Sequence, residues 1–273
     1  METRSWLAVW TGAALLAACV TSPMERATSL AARAGLRPFP LEVQGFRLTG
    51  FLKQTNPEPD PLVVLIEGDG LAWRDRNTPS GDPTPVKAVS LELALANPAP
   101  DFFYMARLCQ FDGRQSPLCQ VEYWTSHRYS DAVVIIHDSA LDRIKAATHA
   151  RSLALVGHSG GGTLATLLAA RRRDVVWLVT LAANLDLDAW TTSHGVSSMP
   201  DSLNPTRFVS HLKKLPQWHF VGGEDVVVPP AVVRSFVERF PPASPVHFTL
   251  LEGVDHDCCW MERIPSFLQK MLR

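Results

Sequence analysis

From Leu62 onward the chain repeats one unit: a short apolar run, then a longer stretch with helical spacing. Leu62–Glu67 (LVVLIE) is a continuous apolar run, as expected of a strand buried on both faces. Val86–Ala96 reads as a helix ending at Asn97-Pro98, and Phe102–Leu108 as the next strand. A long helical stretch begins at Tyr129-Ser130-Asp131, with Ser130 or Asp131 as its cap, and runs to about Thr148. Strands at Ser152–Gly157, Val175–Ala182, Gln217–Gly222 and Val246–Leu251 then alternate with helices at Gly160–Arg172, about Thr206–Lys214, Ala231–Phe240 and Met261–Leu272. Asp186–Pro205 reads as irregular. Parallel strands need long crossovers, and helices supply them. The pattern therefore predicts an α/β fold with a mostly parallel central sheet and helices on both faces. At 273 residues, 46% of them hydrophobic, the chain suits one such domain better than two small ones.

Upstream of this alternation, Leu41–Leu52 reads as a hairpin around Gly45 and Gly50, and Pro57, Pro59 and Pro61 punctuate a loop. Residues 20 to about 38 read as a tether, so the domain is expected to span 41–273. Nothing in the composition points to a polyanion partner. Formal net charge is −1, and the one dense basic run, Arg171-Arg172-Arg173, closes a helix, where cations complement the dipole and stay solvated. No nucleic-acid partner is expected.

Gly157-His158-Ser159-Gly160-Gly161 carries the chemistry. It is a G-x-S-x-G pattern that follows the strand LALV and opens the helix GTLATLLAA. A turn this tight strains the Ser159 backbone, crowds Gly157 and Gly161 against their neighbours, and lifts the hydroxyl out of the sheet. A serine hydroxyl is a weak nucleophile at neutral pH. It needs a base, and the base needs an orienting acid.

With its strand and helix in place, the pattern resembles the nucleophile elbow of the α/β-hydrolase superfamily. The resemblance covers about Leu41 to Arg273 and implies the chain order serine, acid, histidine. His219–Pro230 (HFVGGEDVVVPP) is similar to the family's G-x-x-D-x-x-V-P turn, matched by Gly222, Asp225, Val228 and Pro229. That register selects Asp225 as the acid over Glu224. Glu252–Asp257 (EGVDHD) resembles the loop bearing the family's histidine, so His256, 31 residues after Asp225, is the expected base. Asp255 and Asp257 flank it. His158, inside the elbow, is expected to be structural, and the other seven of the nine histidines lack such placement. One oxyanion donor is expected from Gly160. The second should come from Glu67-Gly68-Asp69-Gly70, with the N–H of Asp69 first and Gly70 second; Glu67 stands where many relatives have His. The acidic side chains of this loop either favour a cationic substrate group or hydrogen-bond within the loop. Residues 184–205 are expected to form a small cap, with Trp190 either lining a pocket or anchoring the loop. Tyr123-Trp124 and Arg128-Tyr129 read as packing.

The resemblance implies hydrolysis of carboxylic esters through an acyl-enzyme, with no metal or organic cofactor. Peptidase or amidase action is the alternative within the enzyme class. A non-catalytic envelope protein that keeps the fold is the alternative outside it. Haloalkane and epoxide chemistry is disfavoured, since those relatives carry Asp where this chain has Ser159.

The N-terminus resembles a bacterial lipoprotein signal. Arg4 precedes an apolar stretch, Trp6–Ala18, and the tetrad Leu16-Ala17-Ala18-Cys19 is similar to a lipobox. By that resemblance residues 1–18 are removed and Cys19 is lipidated. The chain is then exported and anchored at the envelope, with Val20 rather than Asp favouring an outer membrane. Export permits disulfides. Cys109 and Cys119 bracket a short loop and are candidates for a bridge, whereas the adjacent Cys258 and Cys259 read as either bridged or free. Neither pair has metal-ligand spacing with partner histidines.

Overall fold

The computed structural model describes residues 21–97 and 99–272. The expected signal peptide and Cys19 lie outside the described residues. The chain opens with α1 (Pro23–Arg33), then β1 (Arg37–Pro38), β2 (Leu41–Val43), β3 (Phe46–Leu48), β4 (Gly50–Lys53) and β5 (Leu62–Ile66). α2 (Val89–Ala96), β6 (Phe102–Met105), α3 (Asp131–Thr148), β7 (Leu153–His158), α4 (Gly160–Arg171) and β8 (Val175–Leu181) follow. The chain closes with α5 (Leu187–His194), α6 (Val209–Leu212), β9 (Gln217–Gly222), α7 (Pro230–Val237), β10 (Val246–Leu251) and α8 (Trp260–Met271).

Eight strands form one sheet in the order β1-β4-β6-β5-β7-β8-β9-β10. β4 pairs antiparallel with β1 and β6, and every pairing from β6 to β10 is parallel. Alternate residues of the central strands feed two separate cores. Leu62, Val64 and Ile66 pack with α3, α4 and α7 through Val133, Leu164 and Val232. Val63 and Leu65 pack with α1, α2 and α8 through Ala27, Leu91 and Ile264. This two-sided burial explains why the central strands read as unbroken apolar runs. Ser130 caps α3, its hydroxyl accepting the Val133 N–H at 3.4 Å.

Four sequence expectations change. Residues 23–38 are not a tether: Ser22 and Glu25 close a capping box on α1, which buries Ala27 and Ala31 against the domain. β1 then joins the sheet edge. The stretch 186–205, expected to be irregular, contains α5, capped by Asp186 and ended by Gly195 at φ +57°. The helix expected at 206–214 is instead a 3-10 turn, Pro205–Phe208, followed by the single turn of α6. Of the basic run, Arg172 is not solvated. Its side chain is 9% exposed and pairs with Asp138, Asp142 and Asp174 at 2.7–2.8 Å. Cys109 and Cys119 are joined, with Cα atoms 5.7 Å apart, and Cys258 is joined to Cys259. Among the described residues no helix is long and apolar enough to cross a membrane.

Candidate active site

Parallel strands deliver their C-terminal ends to one sheet edge, and the site sits there. Ser159 ends β7 and starts α4 at φ +51°, ψ −126°, a backbone conformation rare for a residue with a side chain. The neighbouring glycines are needed for space. A Cβ on Gly157 would strike the Gly161 carbonyl, and one on Gly161 would strike the carbonyls of Ile66 and Glu67. The turn thus locks β7, α4 and the end of β5 into one unit.

The loops after β9 and β10 bring Asp225 and His256 to that unit. His256 Nε2 lies 3.0 Å from Ser159 Oγ, and its Nδ1 lies 2.9 Å from Asp225 Oδ2. The Asp225 side chain is fully buried, and its second oxygen accepts the N–H groups of Val227 and Val228, each at 2.8 Å. That carboxylate can neither rotate nor hydrate, so it presents one oxygen to the imidazole. Glu224, one residue earlier, is exposed. The His256 backbone is pinned as well: its carbonyl accepts from Trp260 Nε1 at 2.9 Å and from His158 Nε2 at 2.7 Å. Burial lowers the His158 pKa to about 3, so the ring is neutral and donates through Nε2. Asp255 accepts the N–H groups of Asp257 and Cys258 at 2.9 and 2.6 Å, which makes it the organiser of this turn.

The loop after β5 closes the other flank of Ser159. Among the described residues, neither the Asp69 nor the Gly160 N–H has a protein acceptor. The Gly68 N–H is taken by Glu67 Oε1 at 2.9 Å. Gly70, at φ +65°, packs against the Pro83 carbonyl. The Asp69 carboxylate lies against Gly160, where an added Cβ would strike it.

Both acidic side chains of the loop are satisfied internally. Glu67 is buried and accepts from Tyr104 at 3.1 Å and from Ser90 and Leu91 at 3.4 Å, which ties the loop to the start of α2. Burial pushes its carboxyl up to about 7 against the pull of these donors. Asp69 accepts from Arg107 at 2.7 Å, Arg128 at 2.9 Å and Tyr129 at 2.8 Å. Burial alone would raise its pKa; the two guanidiniums overcome this and hold it below the usual carboxylate value. The carboxylates therefore hold the loop in place and are not offered to a cationic substrate group.

These residues open into a cavity of about 850 Å³. Leu71, Trp73, Val86, Met199 and Val227 supply apolar wall, and Asp69, Arg128 and Tyr129 supply polar wall. Trp190 both lines the cavity and anchors its loop, donating to the Val227 carbonyl at 2.7 Å. Residues 199–203 bond back to 126–129: Ser202 Oγ donates to the Ser126 carbonyl at 2.7 Å, and the Leu203 N–H to the Tyr129 carbonyl at 2.9 Å. Sequence reasoning placed Arg128 and Tyr129 in packing and did not single out Arg107. Arg128 and Tyr129 line the cavity, and Arg107 supports it from behind through Asp69. Tyr123 and Trp124 do pack, Tyr123 edge-on to Phe46 and Trp124 bonded to the Ser80 carbonyl at 3.0 Å. His158, His256 and Asp257 bring potential metal-ligand atoms within 4.8 Å of one another. Three of the four ring nitrogens already have protein partners.

No family model and no curated protein matches the chain. Solved structures do. A putative lipase (lip1) from Acinetobacter baumannii AYE is 16% identical with a TM-score of 0.60, over 92% of this chain and 95% of that one. Est1E from Butyrivibrio proteoclasticus is 14% identical with a TM-score of 0.60, over 86% and 97%. An alpha-beta serine hydrolase homologue from Coxiella burnetii is 16% identical with a TM-score of 0.59, over 87% and 97%. This chain has the α/β-hydrolase fold. In α/β-hydrolase terms, Ser159 occupies the elbow after a central strand, and Asp225 and His256 follow two later parallel strands in the expected chain order.

Proposed function

We propose that the protein is a serine hydrolase that cleaves carboxylic esters of small-molecule or peptide acyl substrates through an acyl-enzyme. The observation that carries this reading is the continuous line from Ser159 Oγ through His256 to a fully buried Asp225, at 3.0 and 2.9 Å. In this reading His256 Nε2 takes the Ser159 proton as Oγ attacks the carbonyl carbon. Asp225 keeps Nδ1 protonated and balances the imidazolium charge. The N–H groups of Gly160 and Asp69 receive the oxyanion. His256 then protonates the leaving alcohol, and water, deprotonated by the same ring, releases the acyl group from Ser159.

A p-nitrophenyl ester series from acetate to palmitate tests the reading. Turnover that vanishes in Ser159→Ala supports it, and the optimum sizes the acyl pocket. Turnover that survives in Ser159→Ala overturns it. Covalent labelling of Ser159 without turnover of any ester would redirect the reading to amides and peptides. The lipobox-like Leu16-Ala17-Ala18-Cys19 supports export, with a lipid on Cys19 holding the protein at a bacterial envelope. Mass spectrometry of the membrane fraction should find the lipidated chain. A soluble, unmodified chain retaining Cys19 would refute the anchor.

A further inference from the structure

The two flanks of Ser159 are not equivalent. Sheet order sets β9 and β10, which carry Asp225 and His256, to one side of β7. It sets β5 and β6, which lead to Asp69 and Arg107, to the other. On that second flank two guanidiniums share one carboxylate. Arg107 is 6% exposed at its side chain and Arg128 is 12% exposed. Asp69, their common partner, is 17% exposed.

Asp75 and Asp257 line the same cavity, but the groups that act on this arginine pair directly do not cancel its excess cation. Burial holds the Tyr129 hydroxyl above its ordinary pKa and lowers His137 to about 3, so both are neutral. Glu67 faces Tyr104 and the start of α2. Arg107, whose Nε is buried without a partner among the described residues, directs both terminal nitrogens into the protein, Nη1 onto Asp69 at 2.7 Å and Nη2 onto the Arg128 carbonyl at 2.6 Å. Arg128 does not. Its Nε donates to the Thr125 carbonyl at 2.8 Å and its Nη1 to Asp69 at 2.9 Å. Its Nη2 has no protein acceptor among the described residues, and the side chain lines the catalytic cavity. A guanidinium pinned at Nε and Nη1 holds its free Nη2 in a fixed position, ready to donate to an anion.

We infer that Arg128 recognises a carboxylate carried on the acyl part of the substrate. The inference rests on the ester-hydrolase reading and names its substrate class. The acyl side follows from the geometry of attack. The leaving group must face His256, which protonates it, and the oxyanion must face the N–H groups of Gly160 and Asp69. The acyl chain is the remaining substituent on the carbonyl carbon, and the inference places it in the cavity that Arg128 lines. Arg128 itself is 12% exposed at its side chain, so an ion pair made there is screened less than one on the surface.

The test compares kcat/KM for mono-4-nitrophenyl esters of succinic and glutaric acid with 4-nitrophenyl butyrate and valerate. The wild type should prefer the diacid monoesters by about ten- to a hundredfold, the worth of one charge-assisted hydrogen bond. Arg128→Gln should erase that ratio, and Arg128→Lys should restore part of it. Equal rates in the wild type, or a ratio that survives Arg128→Gln, would overturn the inference. Calorimetry on the Ser159→Ala protein reads the same interaction without turnover. Monomethyl glutarate should bind at least tenfold more tightly than methyl valerate, and the difference should vanish when Arg128→Gln is added. No such difference defeats the carboxylate site even if esters are cleaved. If esters are not cleaved, a difference that vanishes with Arg128→Gln retains the site and defeats only the ester reading.

Discussion

The two flanks of Ser159 are built by different logics. On the His256 side each functional residue sits on a short loop directly after a strand, and local hydrogen bonds set its geometry. Asp225 is fixed by the two N–H groups that follow it, and His256 by Trp260 four residues on and by His158 in the elbow. On the Asp69 side the parts come from distant places. Residues 69, 107, 128 and 129 converge through buried charges, and Glu67 reaches 23 residues onward to hold α2. The first arrangement stays in place when one member is lost. In the second, losing a charged member strands a buried charge. Substitutions on the two sides should therefore separate chemistry from stability.

The largest effect belongs to the triad. Ser159→Ala should lower kcat on a p-nitrophenyl ester by about 10⁴-fold or more while leaving the thermal midpoint close to wild type, since only a hydroxyl is removed. Measured by initial rates and scanning calorimetry, a large fall in the midpoint would break the proposed separation. Next, Asp69→Asn leaves Arg107 and Arg128 without their shared counter-charge in a site under one-fifth exposed. It should cost about 3–5 kcal/mol in urea unfolding. A loss below about 1 kcal/mol would mean that water enters this flank freely.

Glu67→Gln should act through pH. Burial raises the native carboxyl to about 7 from a reference of 4.5, so the folded state holds a proton that the unfolded chain has already released. That contribution is complete below about 4.5 and is lost as pH rises through about 7. Wild-type stability relative to Glu67→Gln should therefore decline across this window, by at most about 1.4 kcal/mol per pH unit. Parallel urea midpoints at pH 4.5, 6 and 8 would show it, and a constant offset would place no titration at Glu67. The smallest effect is Tyr129→Phe. It removes one donor from a carboxylate that keeps two guanidiniums, and should cost about 1.5 kcal/mol. A larger loss would show that the hydroxyl, rather than the arginines, holds Asp69.

This same division governs what the sequence discloses. Ser159, Asp225 and His256 each lie in a local pattern with a mechanical reason for its spacing, so the order strand, turn, helix reveals them without coordinates. β9 and β10 were legible to the residue, Gln217–Gly222 and Val246–Leu251, because their apolar runs end at glycines or in loops. Arg107 and Arg128 carry no local mark. One follows the apolar β6 run and the other precedes a helix cap, and only the fold shows that both meet Asp69. Glu67 was visible as a departure from the familiar His-Gly, yet its role as an anchor for α2 depends on N–H groups 23 and 24 residues away. α1 was hidden for another reason. Its charged residues suggest a solvated segment, and its contact is made by two small buried alanines with Met24 and Leu30 only partly buried beside them.

The central claim is that Ser159 is a nucleophile made reactive by His256 and Asp225. A fluorophosphonate reacts with such a serine and with no resting hydroxyl. The direct measurement is to treat the protein with the probe and map the adduct by peptide mass spectrometry, alongside His256→Ala. The account predicts one adduct, on Ser159, formed rapidly in the wild type and slowed by orders of magnitude in the variant. An unlabelled Ser159, or labelling that proceeds equally without His256, would contradict it.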